Sequence, residues 1–222
     1  MSTLDSRGNT LRITGARIRN LVRRARRLPD PVRYPHTDEP LRHWQRIVLN
    51  DSVREYLDAL GTEELRAAEI SGETHAQRPW KEYASLMYPE FDLLADVEQR
   101  GRYDVVICEQ VLEHVPDPCR AAANLRELCA PGGHVVVSTP FLVRVHEMQL
   151  IYDMKDYWRF TPRGLGTLLE RAGLEVESVG SWGNRDCVVG NFDTWPAFRW
   201  WHSLRNESDL PVQVWAFARR SA

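Results

Sequence analysis

An uninterrupted apolar stretch in the middle of the chain constrains the fold more than any other feature. Residues 103–108 read Tyr-Asp-Val-Val-Ile-Cys, a short run rich in β-branched residues that is typical of a strand buried on both faces. Asp117-Pro118 then supplies a helix N-cap and a proline at the first helical position. After the turn Pro131-Gly132-Gly133, a second apolar strand is predicted at 134–139. A strand, a helix and a strand in this order predict neighbouring parallel strands.

The same alternation continues on both sides of this segment. Apolar patterns predict further strands at 67–71, 83–88, 174–179 and 212–219. Helices are predicted at 41–48, from an N-cap at Asp51 to a stop at Gly61, and from Thr161 to Gly173. The pattern indicates an α/β fold in which helices flank a mostly parallel sheet. In such sheets the ligand crevice lies beyond the carboxyl ends of the strands.

Composition and motif spacing exclude several classes of protein. With 222 residues, 43% hydrophobic and 27% charged, the chain has ordinary globular composition, so fibrous and wholly disordered proteins are excluded. No apolar stretch approaches the roughly 20 residues that cross a bilayer, and we expect a cytoplasmic protein without a membrane span. The four cysteines form no CxxC pair and are predicted to be free thiols. An HExxH motif that begins at His146 would need a histidine at position 150, but that residue is Leu150. We therefore predict no metal site.

Charge is distributed unevenly along the chain. Residues 1–33 hold nine arginines against Asp5 and Asp30, a net charge of +7 that leaves −9 for the remainder. Apolar residues within this segment recur at helical spacing, which predicts a basic amphipathic helix. We therefore divide the chain into a basic arm with a proline-rich linker, 1–40, and a main domain, 41–222. We interpret the arm as a cover for its own domain, with contact to nucleic acid or anionic lipid as alternatives.

The region around the central strand resembles a known family. The run Glu113-His114-Val115-Pro116-Asp117-Pro118, then Leu128-Cys129-Ala130-Pro131-Gly132-Gly133, then Ser138-Thr139-Pro140, is similar to the small-molecule branch of the class I S-adenosylmethionine-dependent methyltransferases. The resemblance extends from about Arg66 to the C-terminus. It implies a Rossmann-like, seven-stranded, mostly parallel sheet flanked by helices, with an antiparallel last strand and here an N-terminal helical extension. It also implies S-adenosyl-L-methionine as cofactor and a small molecule as methyl acceptor.

The resemblance assigns cofactor-binding positions to four loops. Ser71, Glu73 and His75 stand where the family usually has its three glycines, so Gly72 is the glycine that remains in this turn. Asp96 has an alternative interpretation as an exposed turn residue, and Glu90 or water could replace an acid that holds the ribose. The positions assigned to the cofactor are Glu69, Ile70, Ser71, Gly72, Met87, Tyr88, Asp96, Val97, Glu109 and Gln110.

The acceptor side is predicted in the long segment after the strand at 134–139. Our hypothesis is that His146 accepts or positions the acceptor proton while Tyr157 or Asp156 orients the acceptor. A bond from His146 to a backbone carbonyl is the alternative, and we interpret His114 as a group that fixes loop geometry. The aromatic residues at 195, 198 and 201 have the spacing of one helix face and are predicted to be core, and the alternative is that these residues and Trp200 complete the substrate wall. The residues assigned to the substrate are Phe141, Arg144, Tyr152, Trp158, Arg159 and Asn184.

The function that these residues favour is methyl transfer to an oxygen or nitrogen atom of a small molecule, in specialised metabolism. One alternative is a non-catalytic binding or scaffold protein with the methyltransferase fold. Another is a nucleic-acid methyltransferase that uses the basic arm. A nicotinamide oxidoreductase is disfavoured because no G-x-G-x-x-G follows the first strand. The acceptor and the oligomeric state are left open.

Overall fold

The computed structural model of the chain describes residues 43–97, 101–147, 154–193 and 196–222. The basic arm, Tyr152 and Trp195 lie outside these ranges, and the division of the chain at residue 40 stays a prediction. Within the described ranges we find no helix with the length and apolar character that crossing a bilayer requires.

The strands form one mixed sheet in the order β2-β1-β3-β4-β6-β5. The first four strands in this order are parallel, and β6 runs antiparallel to both of its neighbours, as the resemblance implied. Six strands are present in the described ranges rather than the seven predicted. The described residues between β2 and β3 form turns, in which Asp92 Oδ1 accepts a hydrogen bond from the Leu94 amide at 2.8 Å. The strands are β1 Arg66–Ile70, β2 Glu82–Leu86, β3 Tyr103–Glu109, β4 Cys129–Pro140, β5 Glu175–Trp182 and β6 Gln213–Arg219.

Two of the helices begin at side-chain caps that the sequence predicted. The Asp117 carboxylate accepts from the Arg120 amide at 2.9 Å, and the Thr161 hydroxyl accepts from the Gly164 amide at 3.1 Å. The predicted boundary at Asp51 is wrong, because one helix continues from Ile47 through this residue, so Asp51 lies inside it rather than at an N-cap. Its stop at Gly61, with φ of 65°, is confirmed. The helices are α1 Ile47–Leu60, α2 Pro118–Leu128, α3 Pro162–Arg171 and α4 Arg185–Asp193, of which α4 was not predicted.

Both faces of the central strand β3 are covered, which confirms its prediction as a fully buried strand. Val106 and Cys108 pack on one face, where α2 and α3 contribute Leu125 and Leu165. The alternate residues of β3 pack on the other face with apolar residues from α1, α4 and β6. Those on the second face are Val105, Ile107, Leu49, Val53, Leu57, Val188 and Trp215.

The aromatic residues near 200 do not form the predicted core helix. Trp201 is 62% exposed and Trp200 is 87% exposed, whereas Phe198 packs against the core. Residues 196–201 contain no helix, because α4 ends at Asp193. Helical spacing alone therefore misled the prediction for this stripe. The prediction of free cysteines is confirmed, with Cys119 exposed and the other three buried.

Candidate functional site

The carboxyl ends of β1, β3 and β4 lie side by side at one edge of the sheet. In the parallel register Glu69 pairs with Ile107, and Glu109 pairs with Ser138. The loops that leave these strands therefore share one crevice, as expected for an open α/β sheet.

The loop after β1 is held by the buried carboxylate of Glu69. Its Oε1 accepts from the Thr74 amide, and its Oε2 accepts from the His75 amide, both at 2.9 Å. The Tyr83 hydroxyl donates to the same Oε2 at 2.7 Å. Burial, together with the bond to Glu69, raises the pKa of Tyr83, so this hydroxyl stays protonated and donates. The Glu69 carboxylate thus shapes the loop.

The turn itself depends on two residues that approach Glu69 closely. Ser71 has a φ of 52°, in the left-handed region that glycine adopts more easily. A Cβ on Gly72 would lie 2.5 Å from Oε1 of Glu69, so this position has no room for a side chain. The loop therefore turns with one glycine where the family usually has three. The side chain of the preceding residue, Ile70, is buried in the core, so only its backbone lies at the crevice.

Glu109, at the end of β3, is the centre of a buried polar cluster. Its Oε2 lies 3.0 Å from Nε2 of His75, and its Oε1 lies 3.8 Å from the Arg46 guanidinium. The Ser138 hydroxyl contacts Oε1 at 3.4 Å. Burial alone would raise the pKa of Glu109, but the bonds and charges of His75, Arg46 and Ser138 outweigh it and lower the pKa. The carboxylate is therefore ionised at neutral pH.

Sequence reasoning missed two members of this cluster, Arg46 and His75. His75 stands where the family has its third glycine, and that substitution was a signal that a side chain replaces open space in the crevice. Arg46 precedes α1, and only the fold brings it to the end of β3.

Gln110 is fixed at the same edge. It has a φ of 57°, and its side-chain amide donates to Oε1 of Gln213 at 2.8 Å and to the Ser138 hydroxyl at 3.2 Å. Its backbone amide donates to the Ser138 carbonyl at 2.8 Å. Gln110 thus joins the loop after β3 to the end of β4 and the start of β6.

The loop after β2 forms the rim of the crevice. Met87, Tyr88 and Asp96 are exposed there, whereas the side chain of Val97 is buried in the core. The buried amide of Asn124 on α2 holds this loop by donating to the carbonyls of residues 93 and 95, each at 2.7 Å. Met87 and Tyr88 are therefore accessible to a ligand, Asp96 lies on the same rim, and Val97 faces the core.

The loop after β4 carries the predicted acceptor-side residues, and three of them meet. The Asp156 side chain is buried, and its Oδ2 accepts from the His146 amide at 2.8 Å and from Nη2 of Arg159 at 2.5 Å. The imidazole Nδ1 of His146 lies 3.2 Å from the same oxygen. Burial lowers the pKa of His146 although Asp156 opposes the shift, so the imidazole is neutral at pH 7. Burial would raise the pKa of Asp156, but Arg159 and the His146 amide lower it.

Next to this group lies the turn Leu112–His114, which follows β3. His114 Nδ1 lies 2.5 Å from the Lys155 carbonyl, and this bond ties the turn to the segment before Asp156. The Glu113 side chain is fully buried, and neither of its oxygens has a hydrogen-bond partner in the described residues. Burial raises the pKa of Glu113 to about 8. The His114 and His146 rings stack edge to face with centroids 5.0 Å apart.

The aromatic residues of this loop present partly open surfaces. Tyr157 is 49% exposed and Trp158 is 40% exposed. The Tyr157 amide donates to the Glu113 carbonyl at 2.7 Å, and the Trp158 indole donates to the Val115 carbonyl at 2.9 Å, so both are anchored to the turn after β3. Phe141 packs in part against the core, and Arg144 is exposed.

Asn184 does not present its side chain to a substrate. It is buried, its amide group donates to the carbonyls of Ser203 and Arg205 at 3.1 Å each, and its oxygen accepts from the Cys187 amide at 2.9 Å. This geometry makes Asn184 the N-cap of α4 and the anchor of the segment that follows it. Both amide hydrogens are used within the protein, which assigns Asn184 a structural role.

The strand order of this mixed sheet is that of the class I S-adenosylmethionine-dependent methyltransferase fold. The crevice at the carboxyl edge and the tight turn after the first strand belong to the same fold. Comparison with known proteins agrees. Residues 32–179, about two thirds of the chain, match the family described as a methyltransferase domain, and the chain belongs to this family. The class to which it belongs uses S-adenosyl-L-methionine as cofactor.

Curated relatives match part of the chain. A ubiquinone biosynthesis O-methyltransferase from Acinetobacter baumannii (strain AYE) is 37% identical over 145 residues, which cover 60% of this chain and 61% of the relative. The enzyme of the same name from Marinobacter nauticus is 34% identical over 100 residues, 40% of this chain and 42% of the relative. The match thus spans less than two thirds of either relative.

Solved structures show the same fold at low sequence identity. A complex between the Haloferax volcanii Trm112 methyltransferase activator and a methyltransferase has a TM-score of 0.53 at 13% identity, covering 82% of this chain and 90% of that one. The [4+2]-cyclase SpnF has a TM-score of 0.52 at 11% identity, with coverage of 92% and 93%. These likenesses support the fold alone.

Proposed function

We propose that this protein transfers a methyl group from S-adenosyl-L-methionine to an oxygen atom of a small molecule. The relatives named ubiquinone biosynthesis O-methyltransferase support oxygen as the acceptor atom. The observation that carries the proposal is the neutral, partly buried imidazole of His146, held against the buried Asp156 at the edge where the cofactor crevice opens.

The residues around Glu109 fit the methionine end of the cofactor. That end carries an ammonium and a carboxylate, and the cluster offers the ionised Glu109 beside the Arg46 guanidinium. A carboxylate and a guanidinium side by side match the two charges of an amino acid. Gly72, in the turn after β1, and the exposed Met87 and Tyr88, after β2, are the further residues proposed to contact the cofactor.

When bound, the cofactor supplies a methyl group on a sulfonium, which an acceptor lone pair displaces while the electron pair of the broken bond stays on sulfur. The protein's contribution is to hold the acceptor in line and to manage its proton. We propose that His146 accepts or orients the hydroxyl proton and that Asp156, itself held by Arg159, positions His146. The half-exposed rings of Tyr157 and Trp158 then provide an apolar wall that suits an aromatic acceptor.

Two measurements test this function. Calorimetry with S-adenosylhomocysteine on the full chain should show binding at one site per chain. Methyl transfer from labelled S-adenosylmethionine to a panel of phenols and amines should favour the phenols. His146→Asn should lower turnover by a factor of about 10²–10⁴ and leave S-adenosylhomocysteine affinity unchanged. The exposed His43, changed to Gln, is the matched control.

Absence of S-adenosylhomocysteine binding would contradict the proposal and favour a scaffold protein that retains the fold. Full turnover in His146→Asn would contradict the role of His146 alone. Preference for amines would replace the oxygen acceptor by a nitrogen acceptor.

A further inference from the structure

Three metal-ligating side chains converge beside the acceptor loop. One oxygen of Glu113, one ring nitrogen of His114 and one ring nitrogen of His146 all lie within 4.8 Å of one another. The first two residues belong to the turn after β3, and His146 follows β4. Residue spacing did not predict this cluster of potential metal ligands, because 31 intervening residues separate its two histidines.

His114 is oriented as histidine metal ligands usually are, and the His146 ring lies beside a buried carboxylate. Nδ1 of His114 is directed to the Lys155 carbonyl at 2.5 Å, which leaves Nε2 without the proton and 3.7 Å from Oε1 of Glu113. Nδ1 of His146 lies 3.2 Å from the buried Asp156 carboxylate. Imidazole ligands in metalloproteins are commonly held in this way, with one nitrogen bound to a carbonyl or carboxylate.

Glu113 gives an independent indication of a ligand. Its side chain is fully buried, and both of its oxygens lack a hydrogen-bond partner among the residues that the structure describes. A buried carboxyl group without partners costs free energy, and a bound cation is one of the accepted explanations for such a group.

The local charge is suited to a dication. Arg159 neutralises Asp156 through a two-pronged ion pair. With a cation in place of the Glu113 proton, one carboxylate and two imidazoles would surround it, and these three side chains would carry one net negative charge. Ligand atoms of a tetrahedral site with bonds of about 2.1 Å lie about 3.4 Å apart, so the three side chains need to close by little more than about 1 Å.

We infer that Glu113, His114 and His146 bind a divalent transition-metal cation of the zinc, manganese or iron(II) class. Two imidazoles and one carboxylate are a donor set that such ions accept, and three protein ligands leave positions open for a substrate oxygen. The inference deepens the proposed function and rests on it, because His146 belongs to the loop proposed to hold the acceptor.

A cation held by these residues would coordinate the acceptor hydroxyl and lower its pKa, so that the proton would pass to solvent water more readily. The oxygen lone pair then forms the bond to the methyl carbon, and the bond between that carbon and sulfur breaks with its electron pair left on sulfur. His146 would then hold the cation, so the proposed methyl transfer and acceptor loop are kept while the cation takes over from His146 the handling of the acceptor proton.

The experiment measures metal binding directly. Tag-free full chain is treated with a chelator, dialysed and titrated with Co²⁺ and separately with Zn²⁺, by visible absorption for cobalt and by calorimetry for zinc. We expect one ion per chain with cobalt bands of a low-coordinate site. Glu113→Gln and His114→Gln should each weaken binding at least about a hundredfold, whereas His43→Gln should not change it.

Circular dichroism and urea unfolding show whether each variant is folded. His146→Asn is a third variant, at a residue outside the turn Leu112–His114. Failure of wild-type protein to bind either ion would overturn the inference, and so would undiminished binding in the folded variants. Calorimetry with S-adenosylhomocysteine separates this result from the proposed function. Cofactor binding without metal binding contradicts only the cation site, and metal binding without cofactor binding contradicts the methyl transfer.

Discussion

Nε2 of His75 lies 3.0 Å from Oε2 of Glu109, although the two residues leave different strands of the sheet. Both side chains are largely buried, and the Arg46 guanidinium is 3.8 Å from the other oxygen of the same carboxylate. Parallel neighbours β1 and β3 end at the same edge, so their loops can join a histidine to a carboxylate 34 residues further along the chain. The contact makes the cofactor side of the crevice sensitive to acid.

Glu109→Gln should destabilise the protein by about 1.5–3 kcal/mol at neutral pH, because it removes charge-assisted bonds in a buried place. The pKa of Glu109 is lower in the folded chain than its ordinary value, since His75, Arg46 and Ser138 outweigh the effect of burial. Its stabilisation is therefore present above the ordinary carboxyl pKa of about 4.3 and is lost as the pH falls through the lower, folded-state pKa. Urea unfolding at several pH values should show the difference between wild type and variant shrinking in acid.

The matched control for this series is Glu55→Gln, at an exposed position on α1. Its difference from wild type should stay within about 0.5 kcal/mol at every pH. A Glu109 variant that differs equally from wild type at neutral and acid pH would contradict the assigned pKa direction.

Arg46→Gln should weaken binding of S-adenosylhomocysteine by about 10–100-fold, because a charged hydrogen bond to the cofactor carboxylate contributes about 1.5–3 kcal/mol. Calorimetry on the full chain measures the change. Arg54→Gln, which removes an exposed arginine paired with Asp51 on the same helix, should leave the affinity unchanged. Equal affinities for the two variants would remove Arg46 from the cofactor site.

Gly72→Ala should destabilise the loop after β1 by about 1–3 kcal/mol, because the new Cβ would lie 2.5 Å from Oε1 of Glu69. That oxygen cannot move freely, since the carboxylate accepts bonds from the Thr74 and His75 amides and from Tyr83. The variant should also bind S-adenosylhomocysteine more weakly. Ser71→Gly is the paired control and should fold at least as well, because Ser71 already has a positive φ. A stable Gly72→Ala protein with wild-type affinity would show that the loop adapts.

The sequence was sufficient to predict most of the sheet, because buried strands leave a simple signal. The runs that became β3 and β4 are continuous and apolar, and the caps at Asp117 and Thr161 are local features that depend on neighbouring residues alone. The continuity of α1 through Asp51 was missed for the opposite reason. An aspartate that resembles a cap lies inside that helix, where burial of Leu49, Val53 and Leu57 decides its extent.

The crevice was predicted less completely, because its chemistry comes from contacts between distant residues. Asp156, Arg159 and His146 were assigned to one side from their place after β4, and the structure brings them together. Arg46 and the position of Glu113 beside His146 required the fold. Asn184 was assigned to the substrate because a polar residue near a predicted turn is usually exposed, and no sequence pattern indicated α4, the helix that Asn184 caps.

Asn184→Ala should reduce stability by about 2–4 kcal/mol, because it removes three hydrogen bonds from a buried side chain and the cap of α4. At a temperature where the variant is fully folded, its KM for the acceptor should match that of wild type. Asn50→Ala, at an exposed position on α1, should change neither quantity. A raised KM without loss of stability would return Asn184 to the substrate site.

Asp156→Asn should destabilise the protein by about 2–4 kcal/mol. The change leaves the Arg159 guanidinium without its buried partner and weakens the hold on His146, whose amide and ring both contact Asp156. Breaking a buried ion pair from one side typically costs about 3–5 kcal/mol, and Arg159 keeps some access to water, which reduces the cost. Urea unfolding measures the loss, with the exposed Asp209→Asn as control.

The same variant should lower methyl transfer by about 10–100-fold without weakening S-adenosylhomocysteine binding, because the contacts of Asp156 are with His146 and Arg159 on the acceptor side. Turnover is compared at a temperature where both proteins are folded, so that a loss of stability cannot mimic a loss of positioning. If turnover and cofactor affinity fall together, Asp156 supports the whole crevice. If stability falls while turnover per folded molecule is unchanged, the contact between Asp156 and His146 serves the fold and not the reaction.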